Sequence, residues 1–222
     1  MVISTNEAAR RLRVTPQRVL AMLHDELLTG RQVGRTWLVD EASVAARASL
    51  PASAGRPWTT ATVHRVIDAL SDGRKLSQRD TALVRRTDAG ELAVKVGQAI
   101  TVRRYATKWR ERVDAHLILT GESALDRITA EPGRNLHATV RGIHGYVHNA
   151  DAFNTLATTA RLVEDSTGDV FIYRIRDDLF PWTEAPIALV AADCVRSAST
   201  RVRSAGLEAL QQMREQWLTN TA

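Results

Sequence analysis

A chain of 222 residues with 44% hydrophobic and 25% charged residues has the make-up of a globular protein, as one large domain or two small ones. No apolar run approaches the roughly 18 residues of a spanning helix, and the opening "MVISTNEAARRL" lacks the basic and then apolar regions of an export signal. With Cys194 the only cysteine, no intramolecular disulfide forms, and a soluble cytoplasmic protein with no membrane association is expected. The net charge of +5 is unevenly spread: residues 1–57 carry 8 Lys/Arg against 5 Asp/Glu, residues 58–115 carry 12 against 7, and residues 116–222 carry 10 against 13. A basic front half favours a polyanion, and an acidic back half suits a different partner.

In chain order, Ser4 and Glu7 have the spacing of a capping box and predict a helix to about Arg13, with Ala8, Ala9 and Leu12 facing inward. Thr15-Pro16 is a second helix start, an N-cap oxygen followed by a residue whose missing N–H costs nothing at the first helical position. On that helix Val19, Leu20 and Leu23 share one arc and are expected to bury against the first helix, while Gln17, Arg18, Ala21 and Asp25 share the opposite arc. The run "RQVGRTWLV" predicts a hairpin turning at Gly34-Arg35, and Asp40 precedes a closing helix, "EASVAARA".

Small residues, two prolines and a glycine in "SLPASAGRP", residues 49–57, predict a linker. Beyond it, residues 58–115 are expected to be a basic helical segment, with helices at 58–70, stopped by Ser71-Asp72-Gly73, and at 77–87. From 116 to 222 the texture is mixed α/β: "LILTG", "HATV", "GYVHN" and "VFIYRI" are strand-like, "ESALDRI" and "ADAFNTLATTARL" helical. Turns are expected at 130–135 and 179–186, and the chain ends in two helices broken near Ser197–Ser199, Ser199 being a candidate N-cap. The fold class expected is therefore α+β.

A DNA-reading helix needs long donors near its N-terminus and a small residue where the groove floor comes close, and Gln17, Arg18 and Ala21 supply them after Thr15. The hairpin places Arg35 at its tip, Arg31 on its flank and Thr36 beside the turn, where guanidinium groups reach phosphate or the minor groove. The run "VRRYATKWRERV", 102–113, interleaves Tyr105 and Trp109 with basic residues, so Arg103, Arg104 and Lys108 are candidates for an auxiliary DNA contact. On a helix Tyr105 and Trp109 share a face and equally suit the edge of a core.

The order "STNEAARRLRVTPQRVLAMLHDELLTGRQVGRTWLVDEASVAAR" resembles the winged helix-turn-helix of excisionase-family and MerR-like proteins, over residues 3–48. That likeness implies a DNA-binding domain at 1–48. The succession "GRPWTTATVHRVIDAL", "LILTGESALDRI", "HGYVHNADAFNTL", "VFIYRI" and "APIALVAADCVRSASTRVRSAGLEAL" is similar to antitoxin-type regulators of the abortive-infection E class. This resemblance implies a partner-binding domain at 116–222 that counters a nucleotidyltransferase-like toxin. The expectation is a transcriptional regulator that binds double-stranded DNA, as a homodimer or a cooperative assembly. A small-molecule-responsive regulator and a recombination directionality factor are the alternatives.

No catalytic constellation, metal site or cofactor is expected. His137, His144 and His148 match no metal-ligand spacing. Cys194 lies in an apolar helix as a small hydrophobe, Asp177-Asp178 suits a solvated turn, and the lone Gly121 makes no phosphate loop.

Overall fold

The computed structural model describes residues 2–24, 27–48, 56–129, 142–165, 167–175 and 180–221. It is mixed α+β, with two sheets and a helical C-terminal end.

The N-terminal unit is strand β1 (Val2–Ser4), helices α1 (Thr5–Leu12) and α2 (Pro16–His24), strands β2 (Gly30–Val33) and β3 (Thr36–Asp40), and helix α3 (Glu41–Ala48). Ser4 Oγ accepts from the Glu7 N–H at 3.2 Å, so the first half of the capping box forms. Helix α1 stops at Arg13, whose φ of 55° is left-handed and whose N–H satisfies carbonyls of the last turn. Thr15 Oγ1 then accepts from the Arg18 N–H at 3.2 Å and starts α2. Val33 pairs with Thr36 across Gly34-Arg35, and the φ of 61° at Gly34 explains the glycine in this two-residue turn. Strand β3 lies between β1 and β2, both antiparallel to it. Ala8, Ala9, Val19, Leu23, Val39 and Val44 form the unit's core. Leu12 and Leu20 are only partly buried, and Met22 joins the core although the helical arc assigned by spacing omits it.

After Arg56 and Pro57 come α4 (Thr60–Asp72), α5 (Gln78–Arg86) and α6 (Ala89–Gly97), started by Thr59, Ser77 and Asp88, each accepting from the N–H three residues on. Gly73, with φ 71°, ends α4 as expected. The linker expected at 49–57 lies outside the described residues apart from Arg56 and Pro57, and Asp25 and the turn at 130–135 lie outside them entirely.

The expectation of a helical segment through 115 is corrected at β4 (Ile100–Ala106), a strand of the second sheet. Tyr105 is on this strand and Trp109 is in the turn before the short α7 (Glu111–Asp114), so they share no helical face. The reason is pairing: Ile100 to Tyr105 run antiparallel to Ile175 to Val170 of β8 (Val170–Ile175). Long-range ladder bonds and the burial of Ile100 and Tyr105 outweigh the local helical signal of an Arg-rich run.

The second sheet has the order β5-β6-β8-β4-β7, with β5 at Ile118–Leu119, β6 at Ile143–Tyr146 and β7 at Val163–Glu164. It is antiparallel except for β6 and β8, which run parallel across a crossover through α8 (Ala150–Thr159). Because it takes β4 from before residue 116, the boundary drawn at 115/116 runs through a sheet. "ESALDRI" is a 3-10 stretch, Gly121–Arg127, kinked at Ala124, and "HATV" lies outside the described residues.

Helix α9 (Ile187–Val195) is buried from Ala188 to Val195, as a helix apolar all round must be. It packs among α4, α6, the 3-10 stretch and α10 (Thr200–Asn220). Gly206 permits the α10 contact, since a Cβ there would lie 2.6 Å from the Ala191 carbonyl oxygen. The break before α10 falls where expected, but Ser199 makes no side-chain cap. Ser197 Oγ instead accepts from the Ser199 N–H at 2.9 Å. Among the described residues no helix is long and apolar enough to cross a membrane.

Candidate nucleic-acid interface and the cleft beside it

On the N-terminal unit, charge is divided by pairing. Glu7 holds Arg10 and Arg11, and Arg11 also reaches Glu41 at 2.7 Å. Arg18, Arg31 and Arg35 are exposed and, among the described residues, have no ion pair. Helix α2 places Gln17 and Arg18 in its exposed first turn, with Ala21 half-buried one turn on, while Thr15 is occupied as the cap. Arg35 is in the hairpin turn and Thr36 is exposed at the start of β3.

Two arginines that spacing did not single out lie partly buried near this surface. Arg47 of α3 is half-buried, and its basicity is lowered by burial and then by the positive charges of Arg196 and Arg18. Arg196 caps the C-terminal end of α9, and its Nη1 is buried without a hydrogen-bond partner among the described residues. Arg18, Arg47 and Arg196 are brought within electrostatic range only by the tertiary fold.

The three auxiliary candidates separate. Arg104 donates from Nε and Nη2 to the Gly168 carbonyl oxygen, at 3.0 and 2.8 Å, and lies over the Phe171 ring, 4.8 Å from its centroid. Burial lowers its basicity, with Asp40 and Asp165 acting the other way. It is occupied in holding the turn before β8. Arg103 is half exposed and pairs with Glu164 at 3.4 Å, while Lys108 is exposed in the turn after β4.

Between the hairpin of the N-terminal unit and β4 lies a cleft of about 410 Å³. Arg31, Gln32 and Trp37 contribute from the hairpin, and Arg103, Arg104 and Phe171 from the second sheet. Phe171 belongs to a row across that sheet: it pairs in register with Arg104 on β4 and His144 on β6. The His144 ring stacks on it at 4.1 Å.

Beneath this row is a buried polar cluster. Thr120 Oγ1 and the Tyr146 hydroxyl donate to Asp193 Oδ2 at 2.7 and 2.9 Å, and His144 Nδ1 lies 3.1 Å from the Tyr173 hydroxyl. Burial pushes the Asp193 carboxyl up to about 6, against the pull of Arg196 and its two hydrogen bonds. Burial, with Arg104 adding to it, takes His144 down to about 3. Burial also raises the Cys194 thiol, so this side chain is held as the neutral thiol.

His148 is exposed, and His137, Asp177 and Asp178 lie outside the described residues. Among the described residues no three His, Cys, Asp or Glu side chains cluster to hold a metal ion. Comparison with protein-family models, with curated proteins and with solved structures finds no match to this chain.

Proposed function

We propose that the chain is a DNA-binding transcriptional regulator whose N-terminal unit is a winged helix-turn-helix. In this reading α2 enters the major groove with Gln17 and Arg18 toward base edges, and the β2–β3 hairpin is the wing that carries Arg31 and Arg35 to the backbone or minor groove. The observation that carries it is the division of charge: carboxylates neutralise Arg10 and Arg11, while the arginines on α2 and the hairpin have no ion pair among the described residues. Unpaired guanidinium groups on one small unit are what counterion release at a phosphate backbone uses.

The second sheet and its helices then serve a protein partner, as in an antitoxin that represses its own operon and counters a toxin. One such unit covers few base pairs, so specific binding takes two copies, or cooperative neighbours, on repeated half-sites. The test is a footprint on the DNA upstream of the gene, titrated over salt. Protection repeating at about 10 to 10.5 base pairs, with affinity falling steeply as salt rises, supports the reading. No binding, or binding indifferent to salt, removes it. Co-purification with the product of the adjacent gene tests the partner.

A further inference from the structure

Two strand edges line the cleft between the hairpin and β4. Strand β2 is the last of its sheet and pairs only with β3. Val33 and Thr36 flank the two-residue turn, and at the other end of the strand the Asp40 N–H donates to the Thr29 carbonyl oxygen at 2.8 Å. Main-chain groups of an antiparallel strand alternate between its two sides, so Thr29, Arg31 and Val33 face β3, while Gly30 and Gln32 turn N–H and C=O to the open side. Among the described residues nothing bonds them there. On the other wall the Arg104 carbonyl oxygen accepts from the Asp165 N–H at 3.0 Å, and β7 pairs with β4 only at Tyr105 and Ala106. Val102, two residues before Arg104, faces the same side past the last β7 pair. Gly30, Arg31 and Gln32 on one wall, and Val102, Arg103 and Arg104 on the other, are consecutive residues. Successive side chains of a strand point to opposite faces, so such runs mean that edges, not faces, are turned to the cleft.

We propose that the β2 edge takes up an extended acidic segment of a partner protein, which adds a strand to the first sheet and sets a carboxylate beside Arg31. An open edge is a template for another main chain. Gly30 and Gln32 offer donors and acceptors together, which a peptide answers and a phosphate backbone, having acceptors only, does not. Charge selects the segment: Arg31, Arg103 and Arg104 line the cleft against Glu164, which Arg103 holds at 3.4 Å. Arg31 is exposed and has no ion pair among the described residues. A residue set opposite Arg31 points to the same side of the sheet, so acidic residues at every second position of the segment meet this guanidinium. A second copy of β2 would instead bring its own Arg31, a like charge, against the strand.

The segment belongs to the protein partner inferred above, so this site rests on that part of the proposed function and not on DNA binding. The peptide titration contains no DNA, and its failure leaves the footprint to decide the rest. The full chain is titrated with a fluorescein-labelled peptide, Val-Glu-Val-Glu-Val-Glu amide, followed by anisotropy and by amide hydrogen exchange. Saturable one-to-one binding is expected, with exchange slowed at Gly30 and Gln32. N-methylation of the valines or of the glutamates, whichever set faces β2, weakens binding about tenfold by removing main-chain donors. Lysine in place of glutamate weakens it by a similar factor. Gln32→Pro deletes an outward N–H where an edge strand tolerates proline, and Arg31→Glu reverses the charge at an exposed position; each weakens binding about fivefold or more. Absence of saturable binding, indifference to N-methylation or to lysine, or an affinity unmoved by both variants overturns the proposal. Slowing of the Gly30 and Gln32 amides by self-association or by duplex DNA, and not by the peptide, assigns the edge to that occupant and overturns it too.

Discussion

The Tyr146 hydroxyl donates to Asp193 Oδ2 across 2.9 Å, fastening the sheet to the buried helix α9 through a carboxyl whose other oxygen has no hydrogen-bond partner among the described residues. Burial raises the pKa of this carboxyl to about 6, whereas an unfolded Asp titrates near 3.9. The fold therefore favours the protonated acid. The stability from this preference is complete below about pH 4 and is lost as pH rises through about 6. Asp193→Asn keeps an oxygen for Thr120 and Tyr146 and does not titrate. The unfolding free energy of wild type relative to this variant should rise by about 2 kcal/mol between pH 7 and pH 4. A difference that stays constant with pH, measured by denaturant titration, contradicts the role given to this carboxyl.

His144 acts in the opposite direction. Its folded pKa of about 3, against about 6.5 unfolded, means that the fold favours neutral imidazole. This contribution is present above about pH 6.5 and is lost as pH falls toward 3. His144→Phe retains a ring against Phe171 and removes the titration, so its Tm should fall less than that of wild type between pH 6.5 and pH 4. Parallel acid limbs for the two proteins exclude His144 as the cause.

Glycine substitutions probe how closely α9 is gripped. A Cβ at Gly206 would meet the Ala191 carbonyl oxygen at 2.6 Å and Cys194 Cβ at 2.8 Å, both on a fully packed helix. Gly206→Ala should cost about 1 to 3 kcal/mol by overpacking. At Gly97 the nearest atom is 3.5 Å away, on the flexible Arg196 side chain, so Gly97→Ala should be neutral or stabilise by up to about 1 kcal/mol through helix propensity. Equal effects at the two sites argue against close α9–α10 contact.

The arginines divide into readers and supports. Arg18→Ala should cost about 1 to 3 kcal/mol at one base position and relax preference there, whereas Arg35→Ala should weaken every sequence alike and lower the salt slope by about one. Competition binding on substituted operators distinguishes the two effects. If both variants bind as wild type, α2 and the hairpin do not contact DNA.

Arg104 should behave as a support. Its guanidinium holds the Gly168 carbonyl oxygen and stacks over Phe171, so Arg104→Ala should destabilise the fold by about 1 to 3 kcal/mol. Arg35→Ala, at an exposed turn, should leave the unfolding free energy within about 0.5 kcal/mol of wild type. A thermal melt of both variants shows whether the order is reversed.

Where local chemistry decided the structure, the chain was legible. Ser4 and Thr15 as caps, Gly34 in the hairpin turn, Gly73 as a helix stop and the apolar runs of β8 and α9 are local signals, and each element formed at its place. The element missed, β4, alternates Ile100, Val102 and Arg104 with Thr101, Arg103 and Tyr105, yet its two central arginines suggested a solvated helix. Only its partner β8, far along the chain, makes it a strand.

The same division holds for the candidate site. Capping, turn geometry and apolar spacing, all set by residues a few positions apart, determined the N-terminal helices and hairpin and the exposure of Gln17, Arg18 and Arg35. Tertiary structure decided how the arginines are paired, brought Arg18 and Arg196 near Arg47, turned Arg104 onto Gly168 and opened a cleft lined by the hairpin and β4. These relationships join distant parts of the chain. Their energies come from burial and long-range pairing, which no local spacing records.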